Sequence, residues 1–231
     1  MVGSTAAEVI ATLNTFRTPK MRTVMSRSRR FLAASLWLST GVLALPGNCQ
    51  ETKTVKSSVP PALEFYEGRR IAVTMHYAGA EWLIRNERER EERCSLMLEN
   101  LGVEKGMTIC DMGCGNGFYA LKLAEMVGPE GRILGVDIQP EMLSLLRERM
   151  EEKRISNVTP ILGSFHNPRL PDGGVDLILL VDVYHEFSHP EHMLRAMRRS
   201  LSEDGLIVLV EYREEDPDVP IKPLHKMSKT Q

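Results

Sequence analysis

From Thr108 onward the chain alternates short apolar runs with longer stretches in which apolar residues return at helical spacing. The run Thr108–Cys110, for example, is followed by Leu121, Leu123, Ala124 and Val127 on what reads as a helix. The alternation predicts strands over 108–112, 132–137, 158–162, 175–182 and 205–212, and helices over 118–127, 140–153 and 190–201. Strands and helices in that order give an α/β fold, a doubly wound and mostly parallel sheet with crossover helices. Ligands of such sheets bind beyond the carboxyl ends of the strands, where Asp111, Asp137, Ser164 and Asp182 all fall.

The junction between the first of these strands and its helix reads TICDMGCGNGFY. Gly113, Gly115 and Gly117 can take positive φ and let a ligand lie against the backbone, while the helix that follows aims its free N–H groups at the same place. Asp111 constrains the ligand. A carboxylate there repels a pyrophosphate but accepts hydrogen bonds from an ammonium group or ribose hydroxyls. A dinucleotide fingerprint would need its last glycine where this chain has Phe118, which together with Asp111 speaks against an NAD(P)-dependent oxidoreductase. The strand RILGVD then ends in Asp137, placed to hold the two hydroxyls of a ribose.

With an acid before GxGxG and a second acid ending the next strand, the chain resembles the class I S-adenosylmethionine-dependent methyltransferases of the UbiE-like, type 11 kind. The likeness runs from about Leu101 to Arg213 and includes the segment LVDVYHEFSHPEHMLRAMRRSL. It implies a Rossmann-like fold, S-adenosylmethionine as cofactor and methyl transfer to a small-molecule acceptor. Together with the reading of the strand ends it places the cofactor against Asp111, Gly113, Cys114, Gly115, Gly117, Asp137, Ile138, Ser164, Phe165 and Asp182. The family's usual acid after the third strand, which contacts the adenine amino group, is replaced by Ser164. Its hydroxyl and the backbone near Phe165 are left to read the base edge. The resemblance further implies a helix and an antiparallel strand pair after the fifth strand, which the stretch from Arg213 to Gln231 is too short to supply. The strand around Ile207–Val210 is then expected to be an uncovered sheet edge, open to self-association. These two departures keep open an alternative, an inactive or partner-dependent nucleotide-binding protein.

Methyl transfer from a sulfonium is an in-line displacement whose donor is already activated, so the protein has mainly to align the nucleophile and exclude water. Where a base is required, Tyr184, His185 and Glu186 at the end of the fourth strand are the candidates. His185 leads because an unperturbed imidazole titrates near neutrality. Glu186 could instead cap the helix that begins near Pro190, and Tyr212 could line the acceptor pocket. His185, His189 and His192 lack a cysteine or paired carboxylate to complete a metal site, and none is expected.

At 231 residues, 42% hydrophobic and net charge −2, the chain fits one such domain, over about 101–231, plus N-terminal sequence, and gives no sign of nucleic-acid binding. Residues 63–100 read as helices, which the resemblance implies cover the cofactor, with Met75, His76, Tyr77 and Trp82 as pocket candidates, though core packing explains such a cluster better. The run Arg85–Arg93 reads as a solvated helix face with pairs Arg85/Glu89 and Glu89/Arg93. A Pro- and Ser-bearing linker over 51–62 follows a signal-like segment in residues 1–50. There, arginines precede the uncharged stretch Phe31–Leu45, shorter than the roughly 20 residues that cross a bilayer as a helix. The expectation is export, to the periplasm or the membrane surface, if that signal is used, and a cytoplasmic protein otherwise.

Overall fold

The computed structural model describes residues 59–217, 219 and 221–229, so the signal-like segment and most of the linker lie outside the described residues. The described chain opens with a two-residue antiparallel ribbon, β1 (Phe65–Tyr66) and β2 (Arg69–Arg70), and a 3₁₀ helix over Tyr77–Ile84. Helices α1 (Arg88–Glu92) and α2 (Cys94–Glu99) follow. Of the charged run only Arg88–Glu92 is α-helical, and the two helices part at Arg93, which takes a left-handed φ of 52° and serves both as a cap. The charge pairing differs too. Arg85 reaches Glu91 and Glu92, while Glu89 turns to accept the Ser95 N–H. Arg88 is 4% exposed, paired with Glu92 at 2.7 Å and seated over the ring of Phe118, 4.3 Å from its centroid. Spacing within one helix could not show this, because the aromatic platform comes from a helix some 30 residues downstream.

The main body then runs β3 (Thr108–Met112), α3 (Phe118–Val127), β4 (Arg132–Asp137), α4 (Pro140–Lys153), β5 (Val158–Leu162), β6 (Val175–Val181), α5 (Pro190–Ser200) and β7 (Leu201–Val210). The strands form one five-stranded sheet in the order β5-β4-β3-β6-β7, every pair parallel. The chain winds outward from β3 in one direction and then returns to its other side, so a crevice opens where β3 meets β6. Side chains alternate across the pleat. Ile109 and Leu179 pack with Leu121 and Leu123 of α3 and Leu143 and Leu146 of α4, while Cys110, Met112 and Ile178 pack with Met193 and Met197 of α5. The near-continuous apolar runs of β3 and β6 are what a strand covered on both faces requires. Proline at the first turn starts α4 and α5, and Arg154 in the left-handed region ends α4.

Element boundaries agree with the sequence pattern to within a few residues. Strand β6 stops at Val181 because Asp182 adopts φ 57°, and β7 begins at Leu201, directly after α5. After β7 the described residues hold no antiparallel pair. Strand β8 (Tyr212–Arg213) instead runs parallel to β9 (Lys226–Met227), with a 3₁₀ turn over Pro223–His225 just before β9. Among the described residues β7 pairs only with β6, as an edge strand. Its face is not bare, however: Ile207 and Leu209 share a cluster with Met227. No helix of the described residues is long and apolar enough to cross a membrane.

Candidate active site

A cavity of about 430 Å³ lies at the carboxyl ends of β3, β4 and β6. Its floor is the turn after β3. Gly113 sits at φ 72° with Val183 packed where a Cβ would be, and a Cβ on Gly115, at φ 53°, would lie 2.6 Å from Leu83 Cδ1. Only glycine combines those angles with so close a wall. Asp137, at the end of β4, locks the turn from the side: its Oδ2 accepts the Gly115 N–H and its Oδ1 the Gln139 N–H, both at 2.9 Å. Burial pushes its pKa up, and these backbone donors pull against that shift. The Gln139 side chain then holds the N-terminal segment over the cavity, donating to Met75 O at 2.8 Å and accepting from Tyr77 N at 2.9 Å.

Of the residues assigned to the cofactor, Gly113, Gly115, Asp137, Ile138, Ser164, Phe165 and Asp182 line this cavity. Asp111, Cys114 and Gly117 do not. Asp111 lies behind the turn at 3% exposure, where burial drives its pKa up to about 7 against the Ala120 N–H and the nearby Arg88 charge. Cys114 packs beneath Gly135, and Gly117 abuts Leu146 as it starts α3. Their spacing belongs to the turn's shape, which a sequence motif cannot separate from ligand contact. Ser164 turns its hydroxyl toward Asn167 O at 3.2 Å, and Phe165 stands 53% exposed at the rim. From the N-terminal segment, Met75 and Trp82 line the cavity with Thr74, Leu83 and Arg88. The core packing expected of Met75, His76, Tyr77 and Trp82 is not found, since none of the four is buried.

The three catalytic candidates separate in space. Glu186 lines the cavity, accepts the Met75 N–H at 3.1 Å and does not cap α5; burial, opposed by His185, raises its pKa to about 7. Tyr184 faces away, 5.6 Å from Phe187 in the core under α5, with its hydroxyl pushed up to about 12 by burial. His185 is fully buried and absent from the cavity wall, so it cannot touch an acceptor. Its Nδ1 lies 2.7 Å from Glu211 Oε2 and its Nε2 2.9 Å from Nδ1 of His225, which does line the cavity. Glu211 is itself fixed, its Oε1 accepting the N–H groups of Val183 and Tyr184. Tyr212 bonds Glu92 rather than lining the pocket.

The His185–His189–His192 grouping does not form either. His189 reaches Pro60 O at 2.8 Å, and its ring is 6.2 Å from that of His192. What the fold assembles instead is Asp182, His185, Glu186, Glu211 and His225, whose donor atoms come close enough in two overlapping triplets to consider a cation. Both ring nitrogens of His185 are already committed to short hydrogen bonds, which makes a hydrogen-bonded chain the better description.

Residues 103–231 match the family of the methyltransferase domain. The chain belongs to that family. Demethylmenaquinone methyltransferase of Listeria welshimeri is 29% identical over 131 residues, 57% of this chain and 53% of that enzyme. An uncharacterized 37.1 kDa transposon protein of Streptomyces fradiae is 34% identical over 51% of this chain and 33% of its own length. A SAM-dependent methyltransferase of Aquifex aeolicus superposes with a TM-score of 0.63 at 26% identity, over 67% of this chain and 82% of that one. The chain thus spans between a third and about half the length of these curated relatives.

S-adenosylmethionine is the cofactor of this methyltransferase family, and the residues present fit it. The cavity wall holds Asp137 for ribose hydroxyls, glycines that admit close approach, and Asp182, whose Oδ1 is buried with no hydrogen-bond partner among the described residues. An orphaned carboxylate oxygen suits a cationic ligand. Burial raises the Asp182 pKa to about 7, with His185 opposing and Glu211 reinforcing the shift.

Proposed function

We propose that the protein transfers the methyl group of S-adenosylmethionine to a small-molecule acceptor bound in the same cavity. The observation that carries this reading is the pairing, across one cavity, of the glycine turn locked by Asp137 with the unpartnered oxygen of Asp182. In this reading Asp137 holds the ribose, Ile138 and Phe165 flank the base, and Ser164 offers it a hydroxyl. Arg88, already paired with Glu92, adds positive charge at the amino-acid end, and Asp182 faces positive charge. The bound cofactor supplies an electrophilic methyl group on a sulfonium. The chain's own part is to orient the acceptor and exclude water, and the wall of Met75, Trp82, Leu83, Met142, Phe187 and Met193 does the latter. That wall favours an apolar or aromatic acceptor over a polyanion.

Titration calorimetry with S-adenosylmethionine, its demethylated product and NAD tests the assignment. The expected result is saturable binding of the first two and none of NAD. Tight NAD binding alone would overturn it. Binding with no turnover across acceptors would favour the inactive, partner-dependent alternative.

A further inference from the structure

The reach of the C-terminal segment into the cavity adds a group that the glycine turn gives no reason to expect. We propose that His225 is the general base for methyl transfer, that it passes the acceptor's proton inward to His185, and that Glu211 is the anchor of this relay. The inference rests on the methyl-transfer reading and narrows its substrate class. The acceptor is a nucleophile that must lose a proton, a hydroxyl, a phenol or an acidified carbon, and not a thioether.

When both rings are neutral, the hydrogen-bond pattern fixes their tautomers. Glu211 Oε2 can only accept, so His185 Nδ1, 2.7 Å away, carries a proton. A neutral His185 then has a bare Nε2, and its 2.9 Å contact with His225 Nδ1 requires the proton on that nitrogen. A neutral His225 is left with a bare Nε2, which has no hydrogen-bond partner among the described residues, on a side chain that lines the cavity. A base at a reactive site needs that arrangement.

The proton path balances without a co-reactant. The acceptor's proton goes to His225 Nε2, and the His225 Nδ1 proton moves to His185 Nε2. The acceptor's electron pair forms the new bond to the methyl carbon as the carbon–sulfur bond breaks toward sulfur. The charge comes to rest on a His185 imidazolium held against Glu211 and 3.8 Å from Asp182 Oδ1. The surroundings favour this direction. Burial works against charge on His185, but Glu211, Asp182 and Glu186 outweigh it and raise its pKa. His225 is pushed down by burial, by His185 and by Lys222, with Glu211 opposing. Arg69 adds a further cation, its guanidinium donating to the His185 carbonyl at 3.0 Å. A proton therefore rests more easily on the inner ring than on the outer one.

Histidine-labelled ¹⁵N NMR of the full chain reads the tautomers directly. On the alkaline side of the raised His185 transition, where both rings are neutral, the expected result is His225 protonated on Nδ1, the form free histidine disfavours, and His185 protonated on Nδ1. Glu211→Gln, checked for folding by its melting transition, should return His225 toward the Nε2–H form. A wild-type His225 carrying its proton on Nε2 once His185 is neutral overturns the relay whether or not the variant folds. So does stoichiometric binding of zinc alone that shifts His185 Nε2 and His225 Nδ1 together, which would make the cluster a metal site. Calorimetry of wild-type protein with S-adenosylmethionine separates the two readings, because failure to bind sinks methyl transfer while the tautomer measurement addresses the relay alone.

Discussion

The two walls of the cavity are built in opposite ways. The floor comes from the 25 consecutive residues between Gly113 and Asp137: the turn at Gly113–Gly117 and the acid at the end of the neighbouring strand, joined by one hydrogen bond from Gly115. The facing wall draws Asp182, Glu186 and His225 from segments after β6 and β7; behind it the buried His185 joins His225 to Glu211 and lies 3.8 Å from Asp182, while Glu186 accepts the Met75 N–H. Backbone geometry holds the first, where both carboxylate oxygens of Asp137 accept backbone N–H groups. Buried charge and shared protons hold the second, which leaves one carboxylate oxygen without a partner. A preformed floor binds, whereas a wall poised between protonation states can do chemistry.

The sharpest break between them is kinetic. With a phenolic acceptor such as catechol, His225→Gln should lower kcat by roughly 10²–10⁴-fold, the usual worth of a general base, while KM for S-adenosylmethionine changes little. Equal loss in both parameters would place His225 with the floor instead. Asp137→Asn attacks the floor, and calorimetry should show S-adenosylmethionine binding weakened about 10- to 100-fold, as expected for a charged hydrogen-bonding group that also anchors the turn. A variant that binds normally but fails to turn over would reverse the assignment of Asp137.

Gly113→Ala should destabilise the free protein by about 1–3 kcal/mol in urea denaturation, since its Cβ meets Val183 at a left-handed φ. The smallest effect concerns pH. Burial raises the carboxyls of Asp111, Asp182 and Glu186 to about 7, so the folded state favours their protonated forms. Their unfolded values lie near 4, and stability is lost as pH rises from about 4 to 7. His185 acts with the same sign: its raised pKa adds stability below about 6.5 that disappears as pH climbs through the folded value. The melting temperature without cofactor should therefore decline from pH 5 to pH 8. Asp182→Asn, which keeps a residue tolerant of left-handed φ, should melt a few degrees above wild type at pH 8 and bind S-adenosylmethionine more weakly. A flat profile would mean that these carboxyls stay ionised in the folded protein.

The parallel sheet, its crossover helices and the floor of the site were legible in the chain. Period and spacing are local properties, and a turn that needs positive φ at Gly113, Gly115 and Gly117 announces itself in twelve contiguous residues. Acids at strand ends were legible for the same reason. Glu211, directly after the apolar run LIVLV, carries the same signal as Asp137 and could have been found by it. Arg88, Gln139 and His225 gave no comparable sign. Arg88 lies in a run that alternates charges like any solvated helix, and only the rings of Phe118 and Tyr119 draw it inside. His185 was the sequence's choice of base because it is a histidine at a strand end. The return of residues 221–229 gives it His225 as a partner, and it is His225 that lines the cavity.

What the sequence determined by itself is the order of strands and helices, the glycine turn and the acid that locks it, because each depends on neighbours along the chain. The tertiary structure decided which carboxylates would be buried, which would pair and which histidine would face a substrate. Those outcomes follow from desolvation and from hydrogen bonds between segments far apart in sequence, and neither leaves a periodic trace in the chain.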